Sequence, residues 1–184
     1  MTARQVRADA QRNRERLLQA AARAFARGGG EVALEAIAKD AGVGIGTLYR
    51  HFPTREALVE ATYRDQLARV ADSAGELLES LGPERALREW MGRFVAFLTT
   101  KHGMADALRA VIAAGSIPTE GVRTLLEQAL ATLLGACVQA GVVRADAQPF
   151  DVLTGLSGLS LATRDPEQVD RLLDLLMDAL RYRG

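Results

Sequence analysis

The chain has 184 residues, 48% of them hydrophobic, and its 23 basic side chains balance 23 acidic ones; that is enough for one ordinary domain or for a small domain fused to a larger one. Its one cysteine, Cys137, excludes an intrachain disulfide and suits a reducing cytoplasm. Two histidines and one cysteine, widely spaced, are too few for a zinc site built from protein ligands alone, and no cofactor is expected.

Residues 1–16 are polar and arginine-rich with no apolar stretch behind them, so no signal peptide is expected. Leu17, Leu18, Ala21, Ala24 and Phe25 then form an apolar stripe at helical spacing that stops at Gly28-Gly29-Gly30. Ile37, Ala38 and Ala41 make a short second stripe, and Gly42 suits the positive φ that follows a helix end. A third short helix follows, with Leu48 and Phe52 four apart and facing inward. Thr54 is placed to cap a long helix starting near Arg55, whose face carries Leu58, Leu67, Val70, Ala74, Leu77 and Leu78. Gly82-Pro83 ends it, because proline is tolerated in the first turn of the next helix.

Leu87, Trp90, Met91, Phe94, Val95 and Leu98 give that next helix an i, i+3, i+4, i+7 series. Gly103 and Gly115 bracket a shorter helix. The stripe from Val122 to Val138, closed near Gly141, marks another long one, with Cys137 on it as a buried hydrophobe. Pro149 opens a segment rich in small residues, and Asp165-Pro166 opens the last helix, striped by Val169, Leu172, Leu173, Leu176, Met177 and Leu180. The pattern predicts an all-α chain of about nine helices: three short ones in front, over residues 1–54, then a larger helical bundle over 55–184. No apolar run approaches the ~20 residues of a membrane helix.

Charge separates the two parts. Residues 1–55 carry ten basic side chains against five acidic ones, a net +5, which leaves −5 for the remainder. A basic front end and an acidic remainder fit a front end that meets a polyanion, although a solvated charged helix face has the same composition. Helix, glycine-bearing turn and second short helix, from Ala36 to Phe52, form the layout of a helix-turn-helix, in which the second helix enters a DNA major groove. The Gly42-x-Gly44-x-Gly46 run does not fit a nucleotide loop: Thr47 stands where G-x-G-x-x-G needs its third glycine, and a helix rather than a strand precedes it.

Ile37-Ala38-x-x-Ala41-Gly42-Val43, then Gly46-Thr47-Leu48-Tyr49-Arg50-His51-Phe52 and Arg55-Glu56-Ala57-Leu58, resembles the N-terminal domain of TetR-family transcriptional regulators over residues 14–60. The resemblance implies that Gly44, Ile45, Gly46 and Thr47 start the recognition helix beside base edges, with Arg50 on its outward or lateral face. It implies that Tyr49, His51 and Arg55 hold phosphates, Arg55 at the start of the fourth helix where backbone N–H groups are exposed. Arg4 and Arg7, on an N-terminal arm over residues 1–10, are expected to reach an adjacent minor groove. Tyr49 also fits a packed aromatic. Ala33 departs from the family pattern of Thr or Ser, which should weaken the second helix's cap by ~1 kcal/mol.

The resemblance further implies an effector cavity and a two-fold dimer in the bundle. Trp90, Phe94, Phe97, His102, Met104 and Arg109 combine aromatic bulk with isolated polar groups, as small-molecule sites do, while Trp90, Met91 and Phe94 equally suit bundle core. Leucines and small residues in 153–162, with the final helix, fit a four-helix interface made by Leu156, Gly158, Leu159, Val169, Leu173 and Leu176, or an intrachain packing surface. The expected function is a cytoplasmic homodimeric repressor that releases a palindromic DNA operator when a small molecule binds the C-terminal domain. The alternatives are a DNA-binding regulator without an effector and a helical-bundle enzyme, the latter lacking any nucleophile–base pair at useful spacing.

Overall fold

The computed structural model describes residues 3–27, 32–113, 115 and 121–181. Among the described residues the elements are nine helices: α1 (Ala3–Arg27), α2 (Leu34–Asp40), α3 (Ile45–His51), α4 (Arg55–Leu81), α5 (Pro83–Gly103), α6 (Ala105–Ala113), α7 (Val122–Gln139), α8 (Pro149–Ala162) and α9 (Pro166–Leu180). No strand occurs among them, and Val143 and Arg181 form an isolated antiparallel bridge. The chain divides into two compact units, one of residues 1–66 with 100–118 and one of residues 67–99 with 119–184. The first is larger than the 1–54 segment marked by the sequence pattern, since it takes in the start of α4 and all of α6.

In the first unit the apolar stripes meet. Leu17, Leu18, Ala21 and Phe25 of α1, Ile37 and Ala38 of α2, Leu48 of α3 and Leu58 of α4 are all buried. Burial of each large side chain is worth about 1.5–3 kcal/mol before the entropy of ordering is counted, which is how helices as short as α2 and α3 are held. α1 begins at Ala3, so most of the segment expected as an arm is helical backbone. Its composition explains this: residues 3–16 contain no glycine or proline, and Asp9–Arg12 and Gln11–Glu15 pair along the helix surface. The side chains of Arg4 and Arg7 lie outside the described residues, as do Gly28, Gly29 and Gly30.

One close approach fixes the end of α5 against α1. A Cβ built on Gly103 would stand 1.8 Å from the carbonyl oxygen of Phe25, so a glycine hydrogen occupies the only room there. Phe25 lies in the last turn of α1, where carbonyls have no helical N–H ahead of them, and a Cα–H is a weak donor to such an oxygen.

The second unit is built on Leu87, Trp90, Met91 and Phe94 of α5 with Leu130, Leu133 and Cys137 of α7, Leu156 of α8, and Leu173 and Met177 of α9, all buried. The Trp90 indole N–H donates to the carbonyl of Val70 at 2.9 Å, so the largest core side chain carries no unmet polar group. Arg88 ties α5 to α9, its guanidinium 2.7 Å from Asp174 and 3.1 Å from Asp170. Both carboxylates hold the guanidinium pKa above its ordinary value against the opposing effect of partial burial. Asp165 caps α9 by accepting from the Glu167 N–H at 3.2 Å, ahead of Pro166 in the first turn.

Candidate nucleic-acid interface

The turn between α2 and α3 is a Schellman closure. Gly42 has φ +66°, its N–H donates to the Lys39 carbonyl at 3.1 Å, and the Val43 N–H donates to the Ala38 carbonyl at 3.0 Å. The chain then re-enters a helix with Gly44 as the extended N-cap residue, whose carbonyl accepts from Thr47 and Leu48. Leu48 and Phe52 are buried and anchor α3, and the Arg14 guanidinium lies 5.5 Å from the Phe52 ring centre. At about 100° per residue, Gly46 and Arg50 point away from Leu48; Ile45 and Tyr49 flank them on one side, Thr47 and His51 on the other. Exposure follows this geometry: Gly44, Ile45, Gly46, Tyr49 and Arg50 are exposed, while Thr47 and His51 are half-buried.

α4 starts beside this face. The Thr54 hydroxyl accepts from the Ala57 N–H at 3.1 Å, the cap expected from sequence. Arg55 is half-buried and donates to the carbonyl of Val32 at 2.6 Å. That bond ties the first turn of α4 to the residue before Ala33, which has extended backbone and no side-chain cap. The contact is legible only in three dimensions, because the partners are 23 residues apart and one of them is a backbone carbonyl. Two further basic residues, which carry no mark in the sequence pattern, stand near α3 and the turn before it: Arg14 over Phe52, and Arg16, 3.7 Å from where a Gly42 Cβ would be. Arg23 is instead paired to Asp40 at 2.9 Å, joining α1 to α2.

The residues expected to bind an effector are divided between the units. Trp90, Phe94 and Phe97 belong to the second, His102, Met104 and Arg109 to the first. Trp90 and Phe94 are stacked 5.6 Å apart and Phe97 is buried beside Phe94, so the three aromatics are packed core in this structure. Met104 is also buried, whereas Arg109 is exposed and pairs with Asp106. Two of the expected interface residues need correcting. Leu156 and Leu173 are buried inside a single chain, and no surface of theirs remains for a partner. Gly158 is exposed, and Leu159, Val169 and Leu176 are half-buried. The large apolar side chains that α8 and α9 do expose are Phe150 at 47%, Leu161 at 74% and Leu175 at 63%, and the two leucines lie off the stripe. A charge-lined groove bounded by Leu81, Arg85, Arg88, Glu89, Met177 and Arg181 was likewise not anticipated.

Among the described residues there is no cluster of three or more His, Cys, Asp or Glu side chains that could hold a metal, and no helix long and apolar enough to cross a membrane.

Residues 17–62 match the family described as bacterial regulatory proteins, tetR family. Residues 82–182 match the C-terminal domain of SbtR-like transcriptional regulators. Among solved structures, a TetR transcriptional regulator from Streptomyces coelicolor is 48% identical, with TM-score 0.85, over 93% of this chain and 99% of its own. A TetR transcription regulatory protein from Mycobacterium vanbaalenii is 36% identical, with TM-score 0.75, over 96% and 99%. A transcriptional regulator from a Rhodococcus species is 25% identical, with TM-score 0.58, over 91% and 95%. No curated protein matches the chain.

Proposed function

The chain belongs to the TetR family of DNA-binding transcriptional regulators, and from that premise we propose that it acts in the cytoplasm as a homodimeric repressor. In this reading it releases a palindromic operator when a small molecule binds the C-terminal helices. The observation that carries the DNA half is the exposed face of α3: Arg50 stands outward and Ile45 and Tyr49 line the open flank of a helix pinned by Leu48 and Phe52. A rigid support with a short exposed helix is what groove entry needs, and Tyr49, His51 and Arg55 supply donors for phosphate oxygens. Two-fold pairing through the outer surfaces of α8 and α9 would cover Leu161 and Leu175 and set two α3 helices on successive half-sites. Arg4 and Arg7 remain candidates for minor-groove contacts.

The effector half rests on the helices that carry Trp90, Phe94 and Phe97, with His102, Met104 and Arg109 as further candidates. A ligand entering among the aromatics must part the stacked Trp90–Phe94 pair. Their closed packing favours a second reading, a DNA-binding regulator with no small-molecule effector. One pair of experiments tests both. Selection of duplexes from a random-sequence pool should yield a two-fold symmetric site; no enriched sequence would remove the operator. A thermal-shift screen against metabolites should then find a compound that raises the melting temperature and lowers operator affinity, since only a sensor is stabilised by a small molecule. An operator without any such compound leaves the second reading.

A further inference from the structure

We propose that Ile45 is a specificity-determining residue that reads the C5-methyl group of one thymine in each operator half-site; this rests on the DNA-binding assignment above. Four observations meet at this side chain. Ile45 is 37% exposed on the open flank of α3, in its first turn and on the same side as Tyr49. Its neighbours Gly44 and Gly46 have no side chains, and nothing lies within 4 Å of where a Cβ would stand on either. No adjacent side chain therefore holds the helix backbone away from base edges at this point. Thr47 stands about 200° further round the helix and is half-buried, and Tyr49 and Arg50 begin a turn later. Finally, the match to the DNA-binding family spans residues 17–62 and so includes the whole of α3.

The chemistry selects the ligand group. The major-groove edges of the four base pairs present hydrogen-bond donors and acceptors, which isoleucine cannot use, and one apolar group, the thymine methyl. Apolar surface gains free energy on leaving water only when it meets other apolar surface. Isoleucine is β-branched and stiff about χ1, so its methyl groups are presented in a fixed place rather than swept through a volume. A stiff apolar side chain between two glycines discriminates thymine from cytosine by contact, without a single hydrogen bond.

The test uses the full chain and the duplex it selects from a random-sequence pool. Each thymine is replaced singly by uracil, which removes the methyl and keeps the pairing. One thymine per half-site should prove sensitive, with affinity falling about fourfold. Ile45→Ala should bind the thymine duplex more weakly and bind thymine and uracil duplexes equally at that position. Thr47→Ala should retain the full thymine preference. Uracil tolerated at every position would overturn the proposal on the unaltered protein alone, whatever the variants do. So would full methyl sensitivity in Ile45→Ala, or its loss in Thr47→Ala only. If no sequence is enriched at all, the operator reading fails first and this one falls with it; an enriched but methyl-indifferent site removes this one alone.

Discussion

Gly103 and Phe25 meet backbone to backbone: the α-hydrogen side of the glycine faces the carbonyl oxygen of the phenylalanine so closely that no side chain fits between them. Gly103→Ala should therefore destabilise the chain by about 3 kcal/mol, the upper end for overpacking, because the opposing atom is main chain and has no rotamer to yield. Gly75→Ala is the control. It also lies within a helix, but nothing stands within 4 Å of its would-be Cβ, so alanine should stabilise it by about 0.5–1 kcal/mol. Urea titration followed by circular dichroism compares the two, and equal midpoints would sink the steric argument.

Arg55 is expected to have two roles at once, as a phosphate ligand and as the donor that holds Val32. Arg55→Ala should weaken binding to all duplexes alike, reduce the salt slope of binding by about one, and lower the melting temperature. Tyr49→Phe removes only a hydroxyl from an exposed ring and should weaken binding uniformly while leaving stability alone. Fluorescence anisotropy across a salt series measures both. Sequence-dependent losses in place of uniform ones would move these residues from the phosphates to the bases.

The α8–α9 surface separates assembly from folding. Leu161→Asp and Leu175→Asp alter side chains that are mostly exposed within one chain, so the fold should survive while light scattering reports monomers. Leu173→Ala should instead cost about 2–5 kcal/mol of stability, because Leu173 is core. Dimers persisting in both aspartate variants would place the interface elsewhere.

Cys137 should be chemically silent. Burial, helped by the nearby charge of Glu84, pushes its thiol up to about 11, so almost no thiolate exists at pH 8 and an aromatic disulfide reagent should label it only after unfolding. The same shift makes the folded chain lose stability as pH rises from the ordinary thiol value of about 8.5 towards 11, because only the unfolded thiol ionises in that window. Prompt labelling of the native protein would show that the α7 core opens.

Much of the helical order is legible in the sequence because helices announce themselves through spacing and punctuation. Gly42 closes α2, Thr54 and Asp165 cap α4 and α9, and Pro83, Pro149 and Pro166 each begin a helix. Spacing says that a stripe is buried but not against what, which is why Leu156 and Leu173 read as an interface and are core. Trp90 reads from spacing both as core and as a pocket wall; the Val70 carbonyl that satisfies its N–H is 20 residues away and leaves no mark on the local pattern. The bonds of Arg88 to Asp170 and Asp174, and of Arg55 to Val32, join segments whose proximity exists only after folding.

Gly46 stands on the outward side of α3 with open space beyond it, and its backbone is ordinary helix. Alanine there would be worth up to about 1 kcal/mol to the helix, so the fold itself has no use for the glycine. In the proposed DNA-reading face the position is a blank, free to be filled without disturbing anything behind it. A library restricted to residue 46 could therefore recode the preferred sequence in a single step, and related regulators could diverge in the sites they control while keeping one unchanged scaffold.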